Sequence, residues 1–377
     1  MRELPLIDPA LHRELRTIES AQGPKVLLDG REVLLLCSND YLGLAGDQRV
    51  RDAAAETAAR WGAGAGGSPL VSGHMGIHRE LEQRLAELKG TEACILFGSG
   101  FLANTGVIAA LASDGVVASD ALNHASIVDG CRLARARTLV YPHGEIPKGA
   151  DVIVTDAVFS MDGDLAPLIE LVQTGARVIV DEAHATGVIG PEGRGLVHEL
   201  GLQNEVITVG TLGKALGSYG AFVCCDARTA DFLVNRARTL IYSTALPPPS
   251  VGAAIRALEL MDRELVGRLH ENARTLRAAL GVEVNDMPIV PLVFGEPEEA
   301  LARSAAALQQ GVFAQAIRPP TVPVGTSRLR LVATAAHDPA DLQRAGTVLY
   351  ENVMNDPRYS EGRREVVPTG GVRQHGL

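Results

Sequence analysis

Seven short runs of aliphatic and β-branched residues, spread through the middle of the chain, limit its fold more than any other feature. Ala93–Phe97, Gly115–Ala118, Thr138–Tyr141, Asp151–Val154, Arg177–Val180, Val206–Val209 and Gly220–Cys225 each have about the length of one buried strand. Amphipathic stretches such as Ile77–Lys89 and Asp231–Leu240 lie between them. Continuous apolar strands separated by helical stretches point to a mostly parallel sheet covered on both faces, because each parallel connection must cross back over the sheet. The pattern predicts an α/β domain.

The rhythm changes at Leu246-Pro-Pro-Pro249. A long helical stretch from Ser250 to about Leu280 follows, then a strand-like Ile289–Phe294, a helix over Glu298–Gln310 and a strand at Arg328–Val332. A chain of 377 residues has room for two cores. The expected organisation is an N-terminal arm over 1–45, a large α/β domain over 46–248, a smaller α+β domain over 249–354 and a polar, disordered tail over 355–377.

Several function classes drop out early. The net charge of -10, with no long basic run, argues against nucleic-acid binding. No segment approaches the roughly 18–20 uncharged apolar residues of a membrane span. Met1–Asp8 has charges on both sides of a very short apolar patch, unlike a secretory leader. The five cysteines are scattered and lack CxxC spacing, as expected for reduced core residues of a cytoplasmic protein. His74 and His78 stand four apart, but without the glutamate of H-E-x-x-H or a third ligand they are not read as a metal site.

Three strand ends carry chemistry. Gly98-Ser-Gly-Phe-Leu-Ala103 follows a strand and opens a helix, where free N–H groups favour a phosphate. It also fits a dinucleotide fingerprint, with Asp120 at the end of the next strand as the ribose acid, so a nicotinamide-dependent enzyme is a rival reading. Gly62-Ala-Gly-Ala-Gly-Gly67 follows a helical segment instead and reads as a flexible loop. Val178-Ile-Val-Asp-Glu-Ala-His184 sets an acid at a strand's C-terminal end, where ligands of open α/β sheets bind and where a buried carboxylate calls for a cation. Thr211-Leu-Gly-Lys214 follows another strand; Ala215 after the lysine rules out a Walker A loop. A lysine held in such a place can act as a nucleophile. A phosphate cradle, an acid for a ring nitrogen and a lysine for an aldehyde together suit pyridoxal 5'-phosphate.

The ordered motifs Ser38-Asn-Asp-Tyr-Leu-Gly-Leu44, Val71-Ser-Gly-His74, Gly98-Ser-Gly-Phe101, Asn123-His-Ala-Ser126, Val158-Phe-Ser-Met-Asp-Gly163, Asp181-Glu-Ala-His-Ala-Thr-Gly187, Thr211-Leu-Gly-Lys214, Ile241-Tyr-Ser-Thr244 and Arg318-Pro-Pro-Thr-Val-Pro323 resemble those of the α-oxoamine synthases. The resemblance runs from about Leu11 to about Leu349. It implies a fold-type I pyridoxal-phosphate transferase that joins an amino acid to an acyl thioester with loss of carbon dioxide. Arg328-Leu-Arg-Leu331 and Thr334-Ala-Ala-His337 resemble the biotin-pathway branch, which uses L-alanine and a pimeloyl thioester on coenzyme A or an acyl carrier protein. Sister enzymes using glycine or serine share the same motifs, and a non-catalytic partner subunit of this fold is a further alternative. Ala185 replaces the usual Gly or Ser beside His184.

Carried over by position, the resemblance gives Lys214 the cofactor aldehyde and the α-proton, Asp181 the ring nitrogen and His124 the ring face. His184 and Ser160 go to the phenolic oxygen. Ser99, Gly100, Phe101 and Thr211 go to the phosphate, with Ser243 or Thr244 reaching it from a partner subunit of a homodimer with shared sites. Arg330 goes to the substrate carboxylate, which a guanidinium can grip with two parallel bonds. Arg16, Asn39, His74 and Thr321 complete the expected substrate pocket.

Overall fold

The structure is a computed structural model, and it describes residues 8–354; the tail expected over 355–377 lies outside these residues. The described residues form two compact units. One consists of Asp40–Ser160 and Asp164–Gly267; the other takes the N-terminal residues up to Asn39, Met161–Gly163 and the residues from Arg268 on.

The chain begins with an antiparallel pair, β1 (Lys25–Leu28) and β2 (Arg31–Leu35). The first unit then runs through α1 (Gln48–Trp61), α2 (Gly76–Lys89), β3 (Ala93–Phe97), α3 (Gly100–Leu111), β4 (Val116–Asp120), α4 (Ala125–Ala134), β5 (Arg137–Tyr141) and β6 (Val152–Asp156). It continues with α5 (Leu168–Gln173), β7 (Arg177–Asp181), α6 (Leu196–Glu199), β8 (Val206–Thr211), β9 (Ala221–Cys225), α7 (Ala227–Arg236), α8 (Arg238–Ile241) and α9 (Pro248–Leu260). The seven apolar runs of the sequence are the strands of one sheet, in the order β3-β9-β8-β7-β6-β4-β5. The five strands from β8 to β5 are parallel, and β9 alone runs against its neighbours β3 and β8. The C-terminal ends of β3, β4, β6, β7 and β8 therefore share one edge.

Every residue of β6 and β9 is buried. Six successive residues of α3, Ala103–Ile108, are buried as well, since a helix that is apolar all round must be enclosed. Each fully buried Val, Leu or Ile of this core stabilises by about 1.5–3 kcal/mol, which holds the strand ends rigidly.

The sequence pattern ran two breaks together. Ala237 takes an extended backbone (ψ 100°) between α7 and α8. Met261 (ψ 98°) and Asp262 divide the stretch read as one long helix into α9 and α10 (Arg263–Ala279), and Asp262 Oδ1 accepts the Leu265 N–H. The domain boundary expected at 248/249 compares with a division at 267/268, inside α10. The reason lies in α9: a Cβ on Gly252 would come within 1.9 Å of Thr57 Oγ1, so α9 packs tightly on α1 and stays with the large sheet.

The second unit adds β10 (Ile289–Gly295), α11 (Pro297–Gln309), β11 (Val312–Phe313), β12 (Ala316–Ile317), β13 (Ser327–Val332) and α12 (Pro339–Met354). Its sheets are β10-β13-β12, which is antiparallel, and β1-β2-β11, in which β2 and β11 are parallel. Buried His337 donates from Nε2 to the carbonyl of Leu35 and so ties β2 to the segment that follows β13. Asp162 pairs with Arg328, which brings Met161–Gly163 into this unit.

Candidate active site

Asp181 is the last residue of β7 and is 6% exposed. Its carboxylate accepts from two neutral donors, Asn104 Nδ2 at 2.6 Å and the Ala183 N–H at 2.8 Å. Asn104, on α3, also donates to Ser126 Oγ at 2.9 Å, while its buried Oδ1 accepts no hydrogen bond. Ser126 leads on to His124: its hydroxyl lies 2.8 Å from Nδ1, and its N–H donates to the same atom. His124 caps α4, and its own N–H donates to Asp156 Oδ2 at the end of β6. Burial, joined by the charge of Asp181, holds the Asp156 carboxyl well above the usual carboxylate range. Burial lowers His124 below the ordinary imidazole value, which favours a neutral ring.

Lys214 sits in the turn between β8 and β9. The turn is closed by Leu212 N–H to Gly220 O and by Ser218 N–H to Leu212 O. Gly217 follows with φ +56°, and a Cβ there would lie 2.4 Å from the Ala45 nitrogen, so only glycine lets the lysine loop close so tightly. Lys214 Nζ stands 2.7 Å from His184 Nε2, and His184 Nδ1 stands 2.6 Å from the Tyr41 hydroxyl. The charge of Lys214 acts on both His124 and Asp156, so the two hydrogen-bonded chains share one site. The residues expected at its centre, Lys214, Asp181, His124 and His184, are brought together.

The turn that carries Asp181 and His184 is fastened from beneath. Glu182 is 0% exposed, and its Oε2 meets Lys89 Nζ at 2.6 Å. Lys89 also donates to Thr186 Oγ1 and to the Arg194 carbonyl, each at 2.7 Å, while Glu182 Oε1 accepts the Val197 N–H. Sequence reasoning missed Lys89, Glu182, Asn104, Ser126, Asp156 and Tyr41. Tyr41, Ser126 and Glu182 stand inside the family-like motifs without being singled out there, and Asp156 carried a signal of its own: like Asp181, it is an acid that ends an apolar strand.

Among the residues expected at the phosphate, Ser99 caps α3 by accepting the Leu102 N–H, and Phe101 lies half-exposed in its first turn. Gly100 opens that helix, and the first amides of a helix lack intrahelical acceptors. Thr211 Oγ1 accepts the Gly213 N–H. Ser243 and Thr244 line a cavity of about 320 Å³ whose walls include Leu70, Phe97, Gly98 and Leu240. His74 lies on the same wall, 2.8 Å from Glu82, whose carboxyl is raised by burial. His78 accepts the Met75 N–H at Nδ1 and donates to the Leu246 carbonyl.

Ser160 follows the strand bridge at Val158. In the second unit, Arg330 is buried and donates to Asn39 Oδ1 at 2.9 Å. Arg16 pairs with Asp29 at 3.6 Å on an exposed face, and Thr321 accepts from Arg13 at 3.4 Å.

Asp120, the acid of the dinucleotide reading, is otherwise engaged: His143 Nδ1 lies 3.0 Å away, and the Leu122 N–H donates to the same carboxylate. His143 Nε2 reaches Asp164 at 2.6 Å. Hydrogen bonds donated to the Asp120 and Asp164 carboxylates raise the His143 imidazole from 6.5 to about 10. This clamp contributes fully below the ordinary imidazole value and is lost as pH rises through about 10. His143→Gln is therefore expected to lower the urea midpoint at neutral pH, and the gap to the unsubstituted protein should close above pH 10. A gap constant with pH would exclude the charged clamp.

These residues fit pyridoxal phosphate. A buried carboxylate with only neutral donors suits a pyridinium N–H, the orphaned Asn104 oxygen marks an incomplete polar shell, and a lysine and a helix N-terminus stand at the same sheet edge. Among the described residues, no group of histidine, cysteine and carboxylate side chains could hold a metal.

The family model described as aminotransferase class I and II matches residues 31–349. A protein named 8-amino-7-oxononanoate synthase from Geobacter sulfurreducens is 48% identical over 366 residues, covering 90% of this chain and 94% of that one. Its namesake from Anaeromyxobacter dehalogenans is 50% identical over 364 residues, covering 90% and 92%. A serine palmitoyltransferase from S. paucimobilis, solved with pyridoxal phosphate and myriocin bound, superposes with a TM-score of 0.85 at 33% identity, over 90% of this chain and 92% of that one. An 8-amino-7-oxononanoate synthase from Francisella tularensis superposes with a TM-score of 0.74 at 26% identity, over 86% and 98%.

Proposed function

Because the chain belongs to the class I and II aminotransferase family, and within it to the α-oxoamine synthases, we propose that it is a pyridoxal-phosphate-dependent acyltransferase of biotin biosynthesis. It condenses L-alanine with a pimeloyl thioester to give 8-amino-7-oxononanoate, carbon dioxide and the free thiol. The chemistry is carried by one observation: Asp181 ends β7 and Lys214 stands in the turn that follows the adjacent parallel strand β8, each held in a hydrogen-bonded polar chain of its own. The choice of substrates is supported by the names of relatives that are 45–50% identical along most of the chain.

Pyridoxal phosphate supplies an electron sink for a carbanion at the amino acid's α-carbon. Asp181 would keep the ring nitrogen protonated, and neutral His124 would cover the ring face. Ser99, Gly100, Phe101 and Thr211 would hold the phosphate, with His184 and Ser160 at the phenolic oxygen. Lys214 takes the α-proton and later returns one to the product carbon. Arg330, already oriented by Asn39, takes the alanine carboxylate. The new carbon–carbon bond expels the thiol, and the carboxylate then leaves as carbon dioxide, which makes the sequence irreversible. The working form is a homodimer with shared sites, to which Ser243 or Thr244 contributes across the interface. Among the described residues, no helix is long and apolar enough to cross a membrane.

The test is carbon dioxide release from labelled L-alanine, glycine or L-serine, each with pimeloyl-coenzyme A or pimeloyl acyl carrier protein. L-alanine should support release with one of the pimeloyl carriers. Preference for glycine or serine, or no response to either pimeloyl thioester, would move the protein to another branch.

A further inference from the structure

Three parallel strands that lie side by side in the large sheet, β4, β6 and β7, each end in a buried aspartate: Asp120, Asp156 and Asp181. A carboxylate taken out of water needs something to compensate its charge. Asp120 has His143. Both ring nitrogens of His143 face carboxylates, which only accept, so both donate and the ring is an imidazolium. Asp181 has two N–H donors and, in the proposed reaction, the cofactor's ring nitrogen. Asp156, between them, has no such partner. Among the described residues its carboxyl accepts one hydrogen bond, from the His124 N–H at 2.8 Å.

Asp156 and Asp181 are register partners on adjacent parallel strands. Such strands lie about 4.8 Å apart, and partners in register project to the same face of the sheet. Two buried carboxylates so placed do not both stay charged; one keeps a proton. The hydrogen bonds choose which. Asp181 is the better-supported anion, with Asn104 Nδ2 at 2.6 Å and the Ala183 N–H at 2.8 Å. Three other groups face Asp156. Asp120 from β4 adds repulsion, and Lys214 from the turn after β8 opposes it. His124 from α4 has a neutral ring, because its Nδ1 accepts the Ser126 N–H. Burial and the charge of Asp181 outweigh the lysine at Asp156.

We propose that Asp156 is a positioning residue that works as a neutral carboxylic acid: it takes the His124 N–H without adding a second negative charge beside Asp181. Its proton leaves the strand ends β6 and β7 with one charge between them, on the residue that meets the ring nitrogen. A second carboxylate there would favour an ammonium at Lys214, which has to be an uncharged amine when it takes a proton. The inference rests on the roles proposed for Asp181 and His124, but the proton belongs to the chain and is read without cofactor or substrate.

The experiment is infrared spectroscopy of the full-length chain freed of cofactor, at pH 8, with ¹³C in the side-chain carboxyls of aspartate. A protonated carboxylic acid absorbs apart from carboxylates, and the label separates aspartate from buried Glu82. Asp40, which burial pushes up to about 6, is ionised at this pH. The unsubstituted chain should show a labelled acid band, and Asp156→Asn should remove it. Asp156→Glu should move the acid band to its unlabelled position, so the assignment does not depend on one variant folding. No labelled acid band, or one that survives either substitution, overturns the proposal. The link to His124 is read from the dissociation constant for pyridoxal phosphate. Asp156→Asn keeps a neutral acceptor and should bind about tenfold more tightly than Asp156→Ala, which leaves the His124 N–H unpaired. Equal losses overturn the positioning role. Each of these failures leaves the condensation reaction standing. An Asp156 acid band without carbon dioxide release from L-alanine would instead sink the functional reading alone.

Discussion

Lys214→Ala is expected to reduce turnover by on the order of 10³-fold or more, since the variant loses both the cofactor's covalent partner and the base. Borohydride reduction of the loaded, unsubstituted protein should fix the cofactor on one tryptic peptide only. The structure says why no other lysine can substitute. Lys89 is enclosed with Glu182, Lys25 is paired with Asp341 at 2.7 Å, and Lys148 is exposed in the loop between β5 and β6. Cofactor found on any of those three would overturn the assignment of Lys214.

Lys89→Met is expected to destabilise the fold by about 3–5 kcal/mol, the usual effect of leaving one partner of a buried ion pair uncompensated. The ammonium satisfies a carboxylate, a hydroxyl and a carbonyl at once, and methionine can replace none of those bonds. Because Glu182 lies between Asp181 and Ala183, whose N–H orients the Asp181 carboxylate, activity should fall together with stability. Urea denaturation gives the first effect, and turnover at a temperature where the variant is folded gives the second. A loss below about 1 kcal/mol would show that the pair is not the fastening of this turn.

The large sheet was legible because its inner strands are buried on both faces and so carry a continuous apolar run. Asp181 and Lys214 were legible for a related reason: a charged residue at the end of such a run cannot be explained by packing. Asn104 and Tyr41 left no such mark. Asn104 is one polar residue inside a helix, and its role appears only when α3 is set against β7. Lys89 and Glu182 are 93 positions apart, and each reads alone as a solvated charge. The helix breaks at Ala237 and Met261 escaped notice because both residues are apolar and continue the pattern on either side. Asp262 was the available signal, an acid placed to cap the helix that follows it.

The second unit is assembled from both ends of the chain: β2 finds its parallel partner β11 only after Val312, with Leu34 beside it. On the ribosome, β1 and β2 emerge before the first unit and must wait while nearly all of it is synthesised. The first unit, almost contiguous in sequence, can gather its core in the meantime. The β1–β2 hairpin is thus made before the first unit and is among the last elements to be fully paired. A nascent chain halted after α9 would carry the Lys214–His184–Tyr41 chain, yet leave Val33 and Leu35 of β2 without the strand that covers them.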